Sequence, residues 1–216
     1  MGWTLAPGVG FCFAGDKLIV LDLRTDRYLA LRGDRRAAFE RLRARAPNDG
    51  EAMTALVSTG LFVRCDAETR LDPPDIVVPR ADLGDRPRER PVMGMIMATA
   101  RHLYWARRAQ TSHRIARTVA DLLNRKRVLA AGEDGAAIVD IATGYASART
   151  LIPIPPRCLI DSLALFRLML HRGFAPALVF GVRPEPFAAH CWLQSSERIL
   201  TGSADDAHNF TPILVL

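Results

Sequence analysis

Two side chains in this sequence have the type and setting for covalent chemistry, Cys158 and His190. Cys158 follows Pro155-Pro156-Arg157, where prolines end one element and set the start of a helix. The first turn of a helix offers free N–H groups and partial positive charge. Both favour a thiolate, the nucleophilic form of cysteine, and the same N–H groups can hold the oxyanion of an attacked carbonyl. The other reading of this position is an inert buried thiol, since cysteine is among the commonest buried residues. His190 comes 32 residues later, on an expected strand whose alternation puts Ala188, His190, Trp192 and Gln194 on one face and Ala189, Cys191 and Leu193 on the other. Cys191 and His190 therefore cannot both face the nucleophile, and Cys191 is assigned to packing. A histidine on rigid backbone near a helix-start cysteine is what thiol catalysis requires of its base.

The remaining candidates suggest less. Asp161, one turn after Cys158, is expected to favour the helix dipole, and Trp192 to pack beside the site. His102, His113, His171 and His208 show no ligand spacing, and Cys12, Cys65, Cys158 and Cys191 contain no C-x-x-C pair. No metal, no cofactor and no disulfide framework is therefore expected.

The elements that must position this pair lie at the C-terminal end. Cys158 to Arg172 carries so few polar residues that it predicts a central, buried helix closed by Gly173. Pro176–Val182 and Ala189–Gln194 read as strands around a Pro184-Glu185-Pro186 turn. Glu197–Leu200 is expected as a third strand and Thr211–Leu216 as a fourth. Upstream, Met93, Ile96, Met97, Ala100, Leu103 and Tyr104 recur at helical spacing. Thr111 or Ser112 is expected to cap a helix bearing Ile115, Val119, Leu122 and Leu123, and Ala136 to Ala148 a weaker one. The N-terminal third differs. Phe11–Ala14, Lys17–Leu23 and Arg27–Leu31 read as a three-stranded meander. Two helices follow, one capped by Asp34 with Ala37, Ala38, Phe39 and Leu42 inward, the other capped by Asn48 or Asp49 with Met53, Leu56 and Val57 inward. Residues 66–91, with five prolines and many charges, read as a linker whose Ile76-Val77-Val78 patch is free to dock.

A chain of 216 residues accommodates one medium or two small domains. No run approaches the ~18 apolar residues of a membrane span, and Met1 to Gly10 lacks the features of a signal peptide. A cytoplasmic protein is expected. The net charge of +6 is mostly arginine on expected helix faces, which reads as solvated surface before it reads as a nucleic-acid site. Attraction for an acidic peptide or protein is the third reading.

Three runs carry a family resemblance: Pro156 to Leu165, Gly173 to Val182, and Ala189-His190-Cys191-Trp192-Leu193. Over residues 92–216 the chain resembles the lasso peptide biosynthesis B proteins, cysteine proteases of transglutaminase-like fold that remove the leader from a precursor peptide. Its N-terminal strands, with Tyr28-Leu29-Ala30-Leu31, resemble the PqqD-like leader-recognition element. The resemblance implies an α+β chain in two units. Residues 1–72 would form a winged-helix-like recognition domain of three strands then helices. Residues 73–91 would be the linker, and 92–216 a transglutaminase-like, papain-like domain of helices packed on an antiparallel sheet. It implies Cys158 as nucleophile and His190 as base. It further implies Arg27, Tyr28, Leu29, Ala30 and Leu31 as the edge to which a leader adds as a strand. The partners implied are the leader segment of a precursor and a separate ATP-dependent lasso cyclase, with no nucleic acid and no membrane. The family carries an acidic third member after the histidine strand, where this sequence has Gly202. Asp205 is the preferred substitute, with Asp206, a neutral orienting group or a bare dyad as alternatives. The competing reading is a non-catalytic adaptor that presents a precursor to a partner enzyme.

Overall fold

The computed structural model describes residues 2–46, 50–66, 70–84, 90–110, 115–129 and 135–216. The chain is a mixed α+β protein, with strands then helices in its N-terminal part and helices on an antiparallel sheet in its C-terminal part.

The N-terminal meander is β2 (Val9–Ala14), β3 (Lys17–Asp22) and β4 (Arg27–Leu31), in the order β2-β3-β4. Leu18-Ile19-Val20-Leu21 has no polar alternation, the mark of a strand covered on both faces. One face, with Phe11, Leu18, Val20 and Leu31, packs with Phe39 of α1 (Gly33–Arg43) and Leu56 of α2 (Gly50–Val57). The other, with Cys12, Ala14, Ile19 and Leu21, joins the core of the C-terminal helices. A short pair unites β1 (Gly2–Leu5) with β5 (Phe62–Cys65), Trp3 opposite Arg64. β1 escaped the sequence reading because its partner is some sixty residues distant. Asp34 lies in the first turn of α1, but Arg32 occupies the cap position and no side chain caps it. The expected caps Asn48, Asp49, Thr111 and Ser112 lie outside the described residues.

The C-terminal sheet has the order β7-β6-β8, with β6 (Ala177–Pro184) central between β7 (Phe187–Gln194) and β8 (Thr211–Val215). Against it lies α6 (Cys158–His171), with Leu163, Ala164, Leu165 and Phe166 fully buried. Gly173, at φ +87, closes α6 as Phe174 N–H donates to the Met169 carbonyl. α3 (Met93–Ala109), α4 (Ile115–Val128) and α5 (Gly135–Arg149) surround α6. The expected inward stripe of α3 is corrected in part. Met93, Met97 and Tyr104 are exposed, and the helix instead buries Thr99, His102, Leu103 and Ala106. This helix has apolar residues on more than one face, so periodicity alone does not choose between them. Nor is Glu197–Leu200 a strand: only isolated bridges form there, Ala81 with Arg198 and Gln194 with Ile199.

The proline-rich segment docks. Ile76 and Val78 pack with Trp192 and Ile199, Gln194 Nε2 donates to the Val77 carbonyl at 2.8 Å, and Arg198 donates to the Asp82 carbonyl at 3.0 Å. The two sheets also meet directly. A Cβ at Gly10 on β2 would lie 2.3 Å from the Ile213 carbonyl of β8, and Lys17 pairs with Glu185 in the β6–β7 turn.

His102 gives the fold a pH response. It is 1% exposed, neither ring nitrogen has a partner, and burial pushes its pKa down to about 4, helped by Arg167, His171, Arg101 and Arg172. Between about pH 4 and 6.5 the unfolded chain takes up this proton and the folded chain does not. Stability therefore rises with pH across that window and is lost as pH falls through it, by on the order of 2–3 kcal/mol. Denaturant titrations of His102→Leu at pH 4.5 and 7 are expected to show a smaller difference than the parent. An equal difference in both would remove His102 as the cause.

Candidate active site

Cys158 is the first residue of α6, after Arg157 at the cap position with extended backbone. The approach to it is tightly held. The Arg157 N–H donates to Asp161 Oδ2 at 3.0 Å, and the other carboxylate oxygen accepts from Arg149 Nε at 2.5 Å. Arg149 also donates to the carbonyls of Ile152 and Ile154, at 3.2 and 2.7 Å, and Tyr145 donates to the Asp161 carbonyl at 3.1 Å. Asp161 is thus a structural member of the site, closing the start of the helix and tying it to the end of α5. Sequence reasoning placed its charge at the helix start and missed Arg149, whose threefold donation fixes the loop into Cys158. The thiol is exposed, while Cys12 and Cys191 are buried, so the inert buried reading of Cys158 does not hold. The first-turn N–H groups have no acceptor within the helix.

One turn further, Ser162 Oγ donates to the Cys191 carbonyl at 3.1 Å and lies 2.8 Å from Thr201 Oγ1, which accepts from the Leu193 N–H. These bonds fasten the start of α6 to β7 beside His190 and to the segment leading to Gly202. The strand alternation is as expected, but the facing is corrected: Cys191, not His190, lies on the side toward α6. His190 lies over Trp192, ring centroids 5.8 Å apart and planes 20° from parallel, and 5.2 Å from Phe210. Trp192 Nε1 donates to Gln194 Oε1 at 2.8 Å. Gly181, paired with His190 across the sheet, leaves room for this stack, since a Cβ there would sit 2.7 Å from the Trp192 ring. Cys191 faces the opposite way, into the core under α6, where burial pushes its thiol up.

His190 has its pKa lowered by burial, an effect partly opposed by the Asp206 carboxylate. Its Nε2 is buried and without a partner. Beside that nitrogen is Gly202, at φ +80, whose Cβ direction ends 3.5 Å from it. The position that faces the imidazole is thus the one with no side chain. Asp205 and Asp206 open α7 (Ala204–His208), a short helix. It is capped by Ser203, which accepts from the Asp206 N–H at 3.1 Å and donates to Asp206 Oδ2 at 2.8 Å. Asp205 is exposed and makes no bond to His190; its carbonyl accepts from Asn209. Asp206 is the acid whose charge His190 feels. No hydrogen bond joins Cys158 to His190 in this structure. α6 covers the Cys191 face of β7, while His190 stacks on Trp192 on the other face.

The N-terminal sheet reaches the same place. Tyr28 of β4 packs edge-on against Phe187 at the start of β7, centroids 5.6 Å apart. Burial pushes its hydroxyl up, and the nearby thiols of Cys191 and Cys158 and the carboxylate of Asp26 add to this. β4 is an edge strand with Arg27, Leu29 and Ala30 exposed. Among the described residues no cluster of three or more His, Cys, Asp or Glu side chains could hold a metal, and no helix is long and apolar enough to cross a membrane.

An exposed cysteine opening a buried helix that packs on an antiparallel sheet bearing a histidine is the layout of transglutaminase-like thiol enzymes. The family model of the transglutaminase-like superfamily matches residues 97–215, more than half of the chain, so the protein belongs to that superfamily, which includes cysteine peptidases and transglutaminases. No curated protein and no solved structure gives a significant match.

Proposed function

We propose that the protein is a cytoplasmic leader peptidase of lasso peptide maturation, with residues 1–72 recognising the leader, 73–91 linking and 92–216 cutting. The observation that carries this reading is the meeting of β4 with the nucleophile: the free edge begins at Arg27 and Tyr28, and Tyr28 lies against Phe187 within electrostatic reach of Cys158. A peptide added to that edge gains backbone hydrogen bonds for affinity and side-chain pockets for selectivity. Its C-terminal end must leave near Arg27 to reach Cys158, so the leader runs antiparallel to β4.

In the reaction Cys158 Sγ attacks the carbonyl at the leader–core bond as His190 takes the thiol proton. The first N–H groups of α6 hold the oxyanion. His190 passes the proton to the leaving core amine, and the leader remains as a thioester. Water, giving its proton to His190, then releases the leader carboxylate and restores the thiol. The sulfur and imidazole must draw together when substrate binds, since catalytic hydrogen bonds commonly tighten only in the substrate complex. The freed core amine passes to a separate ATP-dependent cyclase. Asp206, or a neutral group above Gly202, orients His190 in place of Asp205.

The adaptor reading draws on two observations, the missing Cys158–His190 bond and the bare Gly202. Incubating the protein with a synthetic candidate precursor and weighing the products separates the two. A peptidase yields leader and core, their masses summing to the precursor plus one water. An adaptor binds the precursor and returns it whole.

A further inference from the structure

Between the N-terminal meander and the tip of α6 lies a cavity of about 430 Å3. Asp26, in the β3–β4 turn, forms one side. Pro155, Arg157 and Ile160, bracketing Cys158, form another, and Arg107 and Gln110 at the end of α3 close it. Among the described residues, neither the Arg107 nor the Arg157 guanidinium has a hydrogen-bond or ion-pair partner; only the backbone of Arg157 is engaged, by Asp161. Two unpaired cations therefore face a recess with one carboxylate, and the recess adjoins the sole cysteine among the described ones that is exposed. Its apolar wall of Pro155 and Ile160 suits a short methylene stem, and the cationic rim suits the charge at its end.

We propose that this cavity is a specificity subsite for an acidic side chain of the peptide, on the leader side of the bond that is cut. The inference rests on the peptidase reading for its substrate, but the carboxylate preference is a property of the cavity itself. The side is fixed by placement. A peptide leaving the β4 edge at Arg27 passes Asp26 and this recess before it reaches Cys158, so its residues preceding the cut fill it. Asp26 helps to set the selectivity, since it repels any acidic group that enters at the meander end and leaves the arginine end as the favourable seat.

The test has two arms. Iodoacetate and iodoacetamide are nearly isosteric alkylating reagents, one anionic and one neutral, and each transfers its two-carbon group to the thiol with loss of iodide. Mass spectrometry reads modification at Cys158 in the full-length protein. The subsite predicts that the iodoacetate-to-iodoacetamide rate ratio falls roughly five- to ten-fold in Arg107→Gln/Arg157→Gln. The iodoacetamide rate should stay within about two-fold, and the parent ratio should decline with added salt. A ratio unchanged by the double substitution overturns the carboxylate subsite, whether or not the protein cuts peptides. In the second arm a peptide library randomised on both sides of the bond is digested and its products sequenced. Enrichment of Asp and Glu before the cut is expected, inverting toward Lys in Arg107→Glu/Arg157→Glu. Enrichment after the cut, or none, overturns the placement. A library left whole by the parent protein counts against the peptidase reading, and with it the assignment to a leader side, while the alkylation arm still decides the carboxylate preference.

Discussion

Cys158→Ala is expected to lower precursor cleavage by about 10⁴-fold or more, while leader affinity, measured by fluorescence anisotropy on a labelled leader peptide, stays within two-fold of the parent. The two effects separate because the thiol and the β4 edge are different structures. Removing Sγ deletes the attacking atom, and neither Cys191, buried beneath α6, nor Cys12, within the core, is exposed to take its place. The β4 edge is held by β3 and by the packing of Leu31 with α1 and α2, and touches none of the bonds that fix the start of α6. Cleavage retained in Cys158→Ala would end the account of Cys158 as nucleophile. Affinity lost with it would mean that the leader is held at the thiol and not at β4.

Gly10→Ala is expected to destabilise the protein by about 2–3 kcal/mol, the cost of overpacking a filled core, and to lower Tm by about 5–10 °C. The new methyl would point at the Ile213 carbonyl 2.3 Å away and at Leu214 Cβ 3.0 Å away. The first is backbone, which cannot rotate aside as a side chain does. β2 must therefore lift from β8, and that contact is one of those that hold the meander against the C-terminal sheet. Peptide cleavage should fall further than stability alone accounts for at 25 °C, because Tyr28 moves with the meander. A Tm within 1 °C of the parent would show that the two sheets yield more easily than their packing implies. Gly33→Ala, at the start of α1 with open space around it, isolates instead the cost of a positive φ, which Gly10 lacks.

Much of the site was legible in the sequence because its parts are local. Pro155-Pro156 before an apolar run marks the helix that begins with Cys158, and period-two alternation placed His190 with Trp192 and Cys191 away from both. The bare Gly202 could be named from the family resemblance, but not what surrounds it. α7 spans only Ala204–His208, too short for periodicity to reveal, so Asp205 and Asp206 gave no sign of which one His190 feels. Other features depended on contacts between distant segments. Tyr28 reads as an ordinary strand residue, and only the docking of β2 and β3 onto the C-terminal core brings it to Phe187. The burial of His102, a histidine with no partner, ran against its polarity. Its neighbours Met93 and Met97 were the more natural choices for the interior and lie outside it.

The apolar face that Cys12, Ile19 and Leu21 give to the C-terminal core carries a final consequence. A recognition module on a loose tether would let its cargo meet the thiol at many positions. Here the meander is glued in place, so the span from the bound segment to the sulfur is a constant of the molecule. The protein would then work as a gauge, counting residues from its grip and cutting where the count runs out.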